Sequence, residues 1–224
     1  MAEILSTHYE GTRDCCAHFG PGLSPHDASS IRYICTGTTL ESDLFILRGE
    51  PKLTTVMSSF GRPCQLPYIA LHPLLAQPEA LDPMADAGEK METHLRPEDG
   101  ASCWKDTPWW RLRAFETQAE MTFSAVTDEL RALLRRMLEQ GLESDAQLCE
   151  KLAALLSDGQ EAEARMLAEQ ADENALLSAQ HTLEDYARAS FTAVRLSLPI
   201  SLAVQPQEGE RVRAVFHTEH TPVA

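Results

Sequence analysis

The sequence predicts an α+β fold in which a small, mostly antiparallel sheet packs on an antiparallel helical layer. Between residues 114 and 193 the apolar side chains recur at steps of three and four, which is the period of an amphipathic helix. Residues 30–75 contain short runs rich in β-branched and aromatic side chains, and residues 194–219 alternate apolar with polar side chains. The change of period near Ala114 therefore separates a β-rich part from the helices.

The N-terminal sheet is predicted from four short runs within residues 30–75. Turn residues at Gly37, Gly49 to Pro51 and Gly61 to Pro63 separate them, as in a small antiparallel sheet. The runs are Ile31 to Cys35, Leu44 to Leu47, Leu53 to Met57 and Tyr68 to Leu71. Residues 1–29 and 76–108 are rich in loop formers, so we expect irregular structure there, with at most short helices.

The helical layer over residues 114–193 divides at two places. Gln140-Gly141 predicts the end of a first helix, and Ser144, with Gln147 three residues later, predicts the cap of a second. The sequence Ser157-Asp158-Gly159 predicts a stop before a third helix that runs from Gln160 to about Ala193. The inward face of that helix is predicted to consist of Ala164, Ala168, Ala171, Ala175, Ala179, Leu183 and Tyr186.

The C-terminal residues predict a β-hairpin. Alternation runs from Val194 to Val204 and resumes from Val212 to Phe216, with a loop of Gln, Pro and Gly residues between them. A lone hairpin is barely stable in water, so we expect residues 194–219 to join the N-terminal sheet. This predicts a single domain over residues 1–224, with a β-rich and loop-rich part (1–113), a helical layer (114–193) and a C-terminal hairpin (194–224).

The amino-acid composition limits which kinds of molecule can be partners. The chain of 224 residues carries 34 acidic and 19 basic side chains, a net charge of −15, and two thirds of the excess negative charge lies in residues 114–193. Such a charge repels polyanions, which disfavours nucleic acid and anionic membranes as partners. The N-terminus lacks the basic and apolar regions of an export signal, and no run reaches the roughly 18 apolar residues of a membrane span. We expect a soluble cytoplasmic protein.

No standard catalytic or cofactor motif is present in the sequence. It lacks the glycine-rich nucleotide loops, Gly-x-Ser-x-Gly, His-Glu-x-x-His and Cys-x-x-Cys. The nearest approach to a metal cluster is Cys15, Cys16 and His18, with Cys35, Cys64 and His72 available further along the chain. Because this spacing is unspecific and buried cysteines are common in cores, we predict structural thiols, no metal site and no cofactor.

Aromatic residues mark the start of the helical layer. Trp104, Trp109 and Trp110 fall within seven residues, next to Arg111. These residues favour packing of the aromatic rings between the first helix and the sheet. The alternative is a binding site for a protein partner, since Trp and Arg dominate the binding energy of protein interfaces. We assign these four residues as the candidate partner-binding site.

These observations predict a non-enzymatic interaction protein, such as an adaptor, assembly factor or complex subunit. It would present an acidic helical face and the tryptophan-containing edge to a protein partner. The alternative is an enzyme or ligand-binding protein with a pocket between sheet and helices, lined by Cys, His and Trp. A DNA-mimicking inhibitor is a weaker third reading, because Arg131, Arg135 and Arg136 interrupt any row of phosphate-like charges.

Overall fold

A computed structural model describes residues 1–6, 35, 39–76, 108–196, 201–206 and 212–217. In chain order the elements are helix α1 (Ala2–Leu5), strand β1 (Ser42–Ile46), a 3-10 turn (Pro51–Leu53), strands β2 (Thr55–Ser59) and β3 (Ile69–Leu71), helices α2 (Pro108–Ser157) and α3 (Glu161–Leu196), and strands β4 (Ser201–Pro206) and β5 (Val212–His217). The predicted α+β class, with a small antiparallel sheet, is confirmed.

The N-terminal sheet is a three-stranded antiparallel meander in the order β1-β2-β3. Leu44 of β1 lies opposite Met57 of β2, and Ile46 lies opposite Thr55, so these four side chains share one face. Three of the four predicted runs therefore contain strands. Of the fourth, Ile31 to Cys35, all but Cys35 lies outside the described residues.

The helical layer consists of two long helices, of 50 residues in α2 and 36 in α3. The predicted helix end at Gln140-Gly141 is wrong, because α2 continues through both residues. A single glycine within a helix costs only about 1 kcal/mol, which tertiary packing on either side of it outweighs. In the part of the chain that the structure describes, neither long helix is apolar enough to cross a lipid bilayer.

The predicted stop between the helices is confirmed at Gly159. Its φ of +74° lies in the left-handed region that glycine adopts most easily. Its N–H donates to the carbonyl of Leu156 at 3.1 Å, and the N–H of Gln160 donates to the carbonyl of Leu155 at 2.9 Å. This pair of bonds is a Schellman cap, which lets the chain reverse direction into α3.

Two apolar clusters fix the helix pair on the sheet. The large cluster joins β3 to both helices and includes the fully buried Leu133 and Leu176. The small cluster lies near the turn between the helices and consists of Leu53, Leu75, Ala76, Leu152, Ala164 and Ala168. The predicted inward face of α3 is buried at Ala164, Ala168, Ala179, Leu183 and Tyr186, and half-buried at Ala171 and Ala175.

The C-terminal hairpin forms as predicted, with β4 and β5 paired antiparallel from Ser201 opposite His217 to Pro206 opposite Val212. Its predicted start is wrong, because Val194 and Leu196 belong to α3. Among the described strands the hairpin is a separate two-stranded sheet, and the expected continuation into the N-terminal sheet is not observed. The hairpin instead contacts the long helices, β4 against α2 and β5 against α3.

Candidate functional site

A buried group of polar side chains separates the two apolar clusters, and we call it the polar layer. Along α2 it falls between Leu134 of the large cluster and Leu152 of the small one, and along α3 it falls between Ala168 and Leu176. Its members come from the sheet region and from both long helices: Arg48, Thr55, His72, Asp145, Cys149 and Asp172.

His72, directly after β3, lies at the centre of the polar layer with only 1% of its surface exposed. Its Nδ1 is 2.7 Å from Oδ1 of Asp172, and its backbone N–H donates to Oδ2 of the same carboxylate at 2.9 Å. Its Nε2 lies 3.0 Å from Oδ1 of Asp145. One carboxylate from each long helix therefore holds one edge of the ring.

Asp145 on α2 binds partners through both of its oxygens. Its Oδ1 accepts a hydrogen bond from the Thr55 hydroxyl at 2.7 Å, in addition to the contact with His72. Its Oδ2 is 2.5 Å from a guanidinium nitrogen of Arg48. Arg48 also donates to Thr55 Oγ1 at 2.6 Å and to the Leu53 carbonyl at 2.8 Å. This network ties α2 to the segments on both sides of the 3-10 turn.

The protonation of the layer follows from these bonds. Burial alone would lower the pKa of His72, but hydrogen bonds to Asp145, Asp172 and Cys149 raise it from 6.5 to about 11. Burial raises the pKa of Asp145, yet its hydrogen bonds with His72, Thr55 and Arg48 outweigh burial and lower it below 3.8. These hydrogen bonds therefore favour the protonated form of the His72 ring.

Cys149 lies one helical turn after Asp145 and completes the polar layer. Its Sγ is 3.9 Å from Nε2 of His72 and 3.7 Å from Oδ1 of Asp145. A thiol, an imidazole and a carboxylate in contact are the parts of a cysteine-based hydrolase site. Cys149 is 5% exposed and His72 is 1% exposed, however, so a substrate cannot reach the sulfur in this conformation. The same donor atoms can instead hold a metal ion.

A groove lies beside the polar layer, between the sheet and α2. It has a volume of about 700 Å³, within the range of ligand-binding sites. One wall is formed by Leu44, Ile46 and Met57 of the sheet, and the opposite wall by α2 from Arg131 to Leu142. The first residues of the chain also line it, together with Cys64, Leu66 and Tyr68. We call this feature the sheet–helix groove.

Cys64 at the groove is close to a second buried thiol. Its Sγ is 3.3 Å from Sγ of Cys35, which is a hydrogen-bond contact and much longer than the roughly 2.05 Å of a disulfide. Both residues are buried.

The residues predicted for partner binding fall at the start of α2. Trp104 lies outside the described residues, and for Trp109 and Trp110 the helical backbone is described but not the side chains. Arg111 is exposed and lies 3.7 Å from Glu184 of α3. The candidate ligands Cys15, Cys16 and His18 lie outside the described residues.

Sequence reasoning named His72 as an available ligand but missed the carboxylates that surround it. Asp172 is one of the acidic residues of the helical layer, whose acidic face the sequence predicts at the surface, yet it is only 1% exposed. One signal was available: Asp172 follows Ala168 by four residues and precedes Ala175 by three, which places it on the predicted inward face. Asp145 and Cys149 likewise share a face, being four residues apart.

Comparisons with protein-family models, with curated proteins and with solved structures give no match to this chain.

Proposed function

We propose that the protein is a non-enzymatic interaction protein, and that an amphipathic helical segment of a protein partner binds in the sheet–helix groove. The observation that carries the proposal is the groove itself, which is lined mainly by apolar side chains and runs alongside a long helix. Helix-in-groove binding is a common mode of peptide recognition, in which apolar side chains at helical spacing enter such a channel.

The dimensions of the groove support a helical occupant. From Arg131 to Leu142 the wall formed by α2 extends over eleven residue steps, which is about 16 Å at 1.5 Å per residue. This length matches about three turns of a partner helix. Leu134 and Leu138 line the groove, while Leu142 at its end is 41% exposed.

The rim of the groove is charged with both signs. Arg131 and Arg135 line it together with Glu3 and Glu139, and Arg135 lies 3.8 Å from Glu3. An apolar floor with a polar rim is the usual composition of a protein interface. A partner helix with an apolar face and mixed charges at its edges would complement it.

The acidic surface and the edge at Trp104, Trp109, Trp110 and Arg111 belong to the same proposal as further contact regions. A protein partner rather than nucleic acid fits the net charge of −15. We also propose a cytoplasmic location. Localisation of the tagged full chain in the cell tests it.

The second candidate is a ligand-binding protein or enzyme with a Cys- and His-containing site between sheet and helices. The observation that favours it is the contact of His72 with Cys149 at that place in the fold. Its burial argues against substrate turnover, so we rank it below the interaction protein.

The experiment compares two leucines of similar exposure. Leu142→Glu places a charge at the groove, and Leu177→Glu places the same charge on α3, where Leu177 is 45% exposed. The tagged full chain and both variants are expressed in the native source, purified, and checked for helical content by circular dichroism. Bound proteins are quantified by mass spectrometry.

We expect one protein in stoichiometric amount with wild type and with Leu177→Glu, and its loss with Leu142→Glu. A photo-crosslinking residue at position 142 should link that protein through an amphipathic helix. Identical recovery with both variants, or no stoichiometric protein from wild type, would contradict the proposal.

A parallel pull-down with Trp109→Ala and Trp110→Ala tests the tryptophan edge. Loss of the bound protein from a folded variant would support a role of that edge in binding.

A further inference from the structure

The polar layer gathers three different metal-ligating atoms in one buried place. They are the Nε2 nitrogen of His72, the Oδ1 oxygen of Asp145 and the Sγ sulfur of Cys149. The three separations are 3.0 Å between nitrogen and oxygen, 3.7 Å between sulfur and oxygen, and 3.9 Å between sulfur and nitrogen.

These separations match one face of a coordination tetrahedron. Zinc binds nitrogen and oxygen at about 2.0–2.2 Å and sulfur at about 2.3 Å, so neighbouring ligand atoms in a tetrahedron lie about 3.3–3.7 Å apart. Each observed separation is within about 0.3 Å of that range. An ion centred on the three atoms therefore needs only small side-chain adjustments.

We propose that the polar layer binds a zinc ion through His72, Asp145 and Cys149. This inference goes beyond the proposed interaction function and does not depend on it, because the donor atoms lie in the core and not in the groove. It replaces the sequence-based expectation that the chain carries no metal site.

The surroundings of the three ligands are those of a metal centre. A histidine that binds a metal through one ring nitrogen usually donates the other N–H to a carboxylate, and Asp172 accepts from Nδ1 of His72 at 2.7 Å. Arg48 and Thr55 fix the Asp145 carboxylate in the same way. These contacts orient the His72 ring and the Asp145 carboxylate before a metal ion binds.

Two oxygen atoms that accept hydrogen bonds from Arg48 also lie near the sulfur and are candidates for the fourth position. The Leu53 carbonyl oxygen lies 3.9 Å from Sγ of Cys149, and the Thr55 hydroxyl oxygen lies 4.0 Å from the same sulfur. A mixed set of nitrogen, sulfur and oxygen suits zinc, whereas magnesium and calcium prefer oxygen alone.

Metal binding to the polar layer releases protons. Zinc binds a neutral imidazole and a thiolate, so any proton on Nε2 of His72 or on Sγ of Cys149 leaves to solvent as the ion enters. Zinc then forms bonds to the nitrogen lone pair, to the thiolate and to the Asp145 carboxylate.

The test uses Co²⁺ as a spectroscopic substitute in the purified full chain after chelator treatment. A cobalt–thiolate bond gives a charge-transfer band in the near ultraviolet, which we expect in wild type at one equivalent of metal. Cys149→Ser should abolish the band. Cys64→Ser is the matched control, since Cys64 is 3% exposed and Cys149 is 5% exposed, and it should keep the band.

Asp172→Asn tests the positioning of His72. It should weaken zinc affinity by about 10- to 100-fold, while the charge-transfer band at saturating cobalt is retained. An affinity equal to that of wild type would contradict the role assigned to Asp172.

X-ray absorption of the zinc-loaded wild-type chain keeps the proposal testable if the variants do not fold. We expect one sulfur at about 2.3 Å and the remaining ligands at nitrogen or oxygen distances of about 2.0–2.2 Å. No bound metal in wild type, a shell with no sulfur or with several sulfurs, or a cobalt band that persists in folded Cys149→Ser would overturn it.

Discussion

The apolar clusters and the polar layer join the same helices to the same sheet, but they do so by different physics. In the large cluster Leu133 and Leu176 are buried by apolar neighbours, and an apolar side chain of similar volume would also fill the space. In the polar layer each buried group has a specific partner with a specific direction, as His72 has in Asp145 and Asp172. The apolar clusters contribute stability through burial, while the polar layer determines which polar atoms contact each other.

The contrast between the apolar clusters and the polar layer indicates where in the molecule reactive or metal-binding groups can be expected. A buried imidazole with two carboxylates costs more to assemble than a leucine of similar volume, because every charge must be desolvated. We expect the polar layer to favour one register of the two helices against β3, because His72 contacts a carboxylate of each helix. The consequence for mutation is that losing one polar partner should harm the fold more than losing one apolar side chain.

The largest expected effect is that of Asp145→Ala. The change leaves His72, Arg48 and Thr55 without their common acceptor, so the free energy of unfolding should fall by about 3–5 kcal/mol. Urea denaturation followed by circular dichroism measures it. A loss below about 1 kcal/mol would mean that the layer contributes little to the register of the helices.

A smaller effect is expected from Leu133→Ala in the large cluster. Leu133 is fully buried, and truncation of such leucines costs about 2–5 kcal/mol, depending on how far the cavity collapses. Four buried residues of α3 belong to the same cluster, and we expect a value near the middle of that range, about 3 kcal/mol. If Leu133→Ala proves more harmful than Asp145→Ala, the contrast between the two kinds of packing is reversed.

The smallest effect is expected from Lys52→Ala. Lys52 Nζ lies 2.8 Å from Glu161 Oε1, but both side chains are exposed, at 40% and 55%. Solvent and salt screen such a pair, so no change in the urea midpoint is expected at physiological ionic strength. A clear loss that disappears at high salt would show that exposed pairs also help to hold the sheet region against α3.

Much of the fold could be predicted from the sequence, because period and turn chemistry are local. The stop at Gly159 and the apolar face of α3 are correct for this reason. The helix end at Gly141 is wrong because tertiary packing overrides a local signal. The placement of the C-terminal hairpin failed because strand pairing over long separations depends on which surfaces the helices leave open.

The polar layer was far less predictable, since its contacts join distant parts of the chain. His72 is separated from Asp145 by 73 residues and from Asp172 by 100. An aspartate within a helical pattern indicates a solvated face by default, and only its phase on the helix reveals otherwise. The tryptophan site and the N-terminal Cys and His residues stay predictions, as does the single domain over residues 1–224.

The most direct test of the polar layer as a built metal site is the stability of the full chain with and without zinc. At a free zinc concentration of about 100 times Kd, wild type and Cys64→Ser should gain about 2.7 kcal/mol in the free energy of unfolding, or less if the unfolded chain also binds zinc, and Cys149→Ser should gain none. An equal gain in all three proteins, or no gain in wild type, would contradict the assignment of His72, Asp145 and Cys149 as ligands.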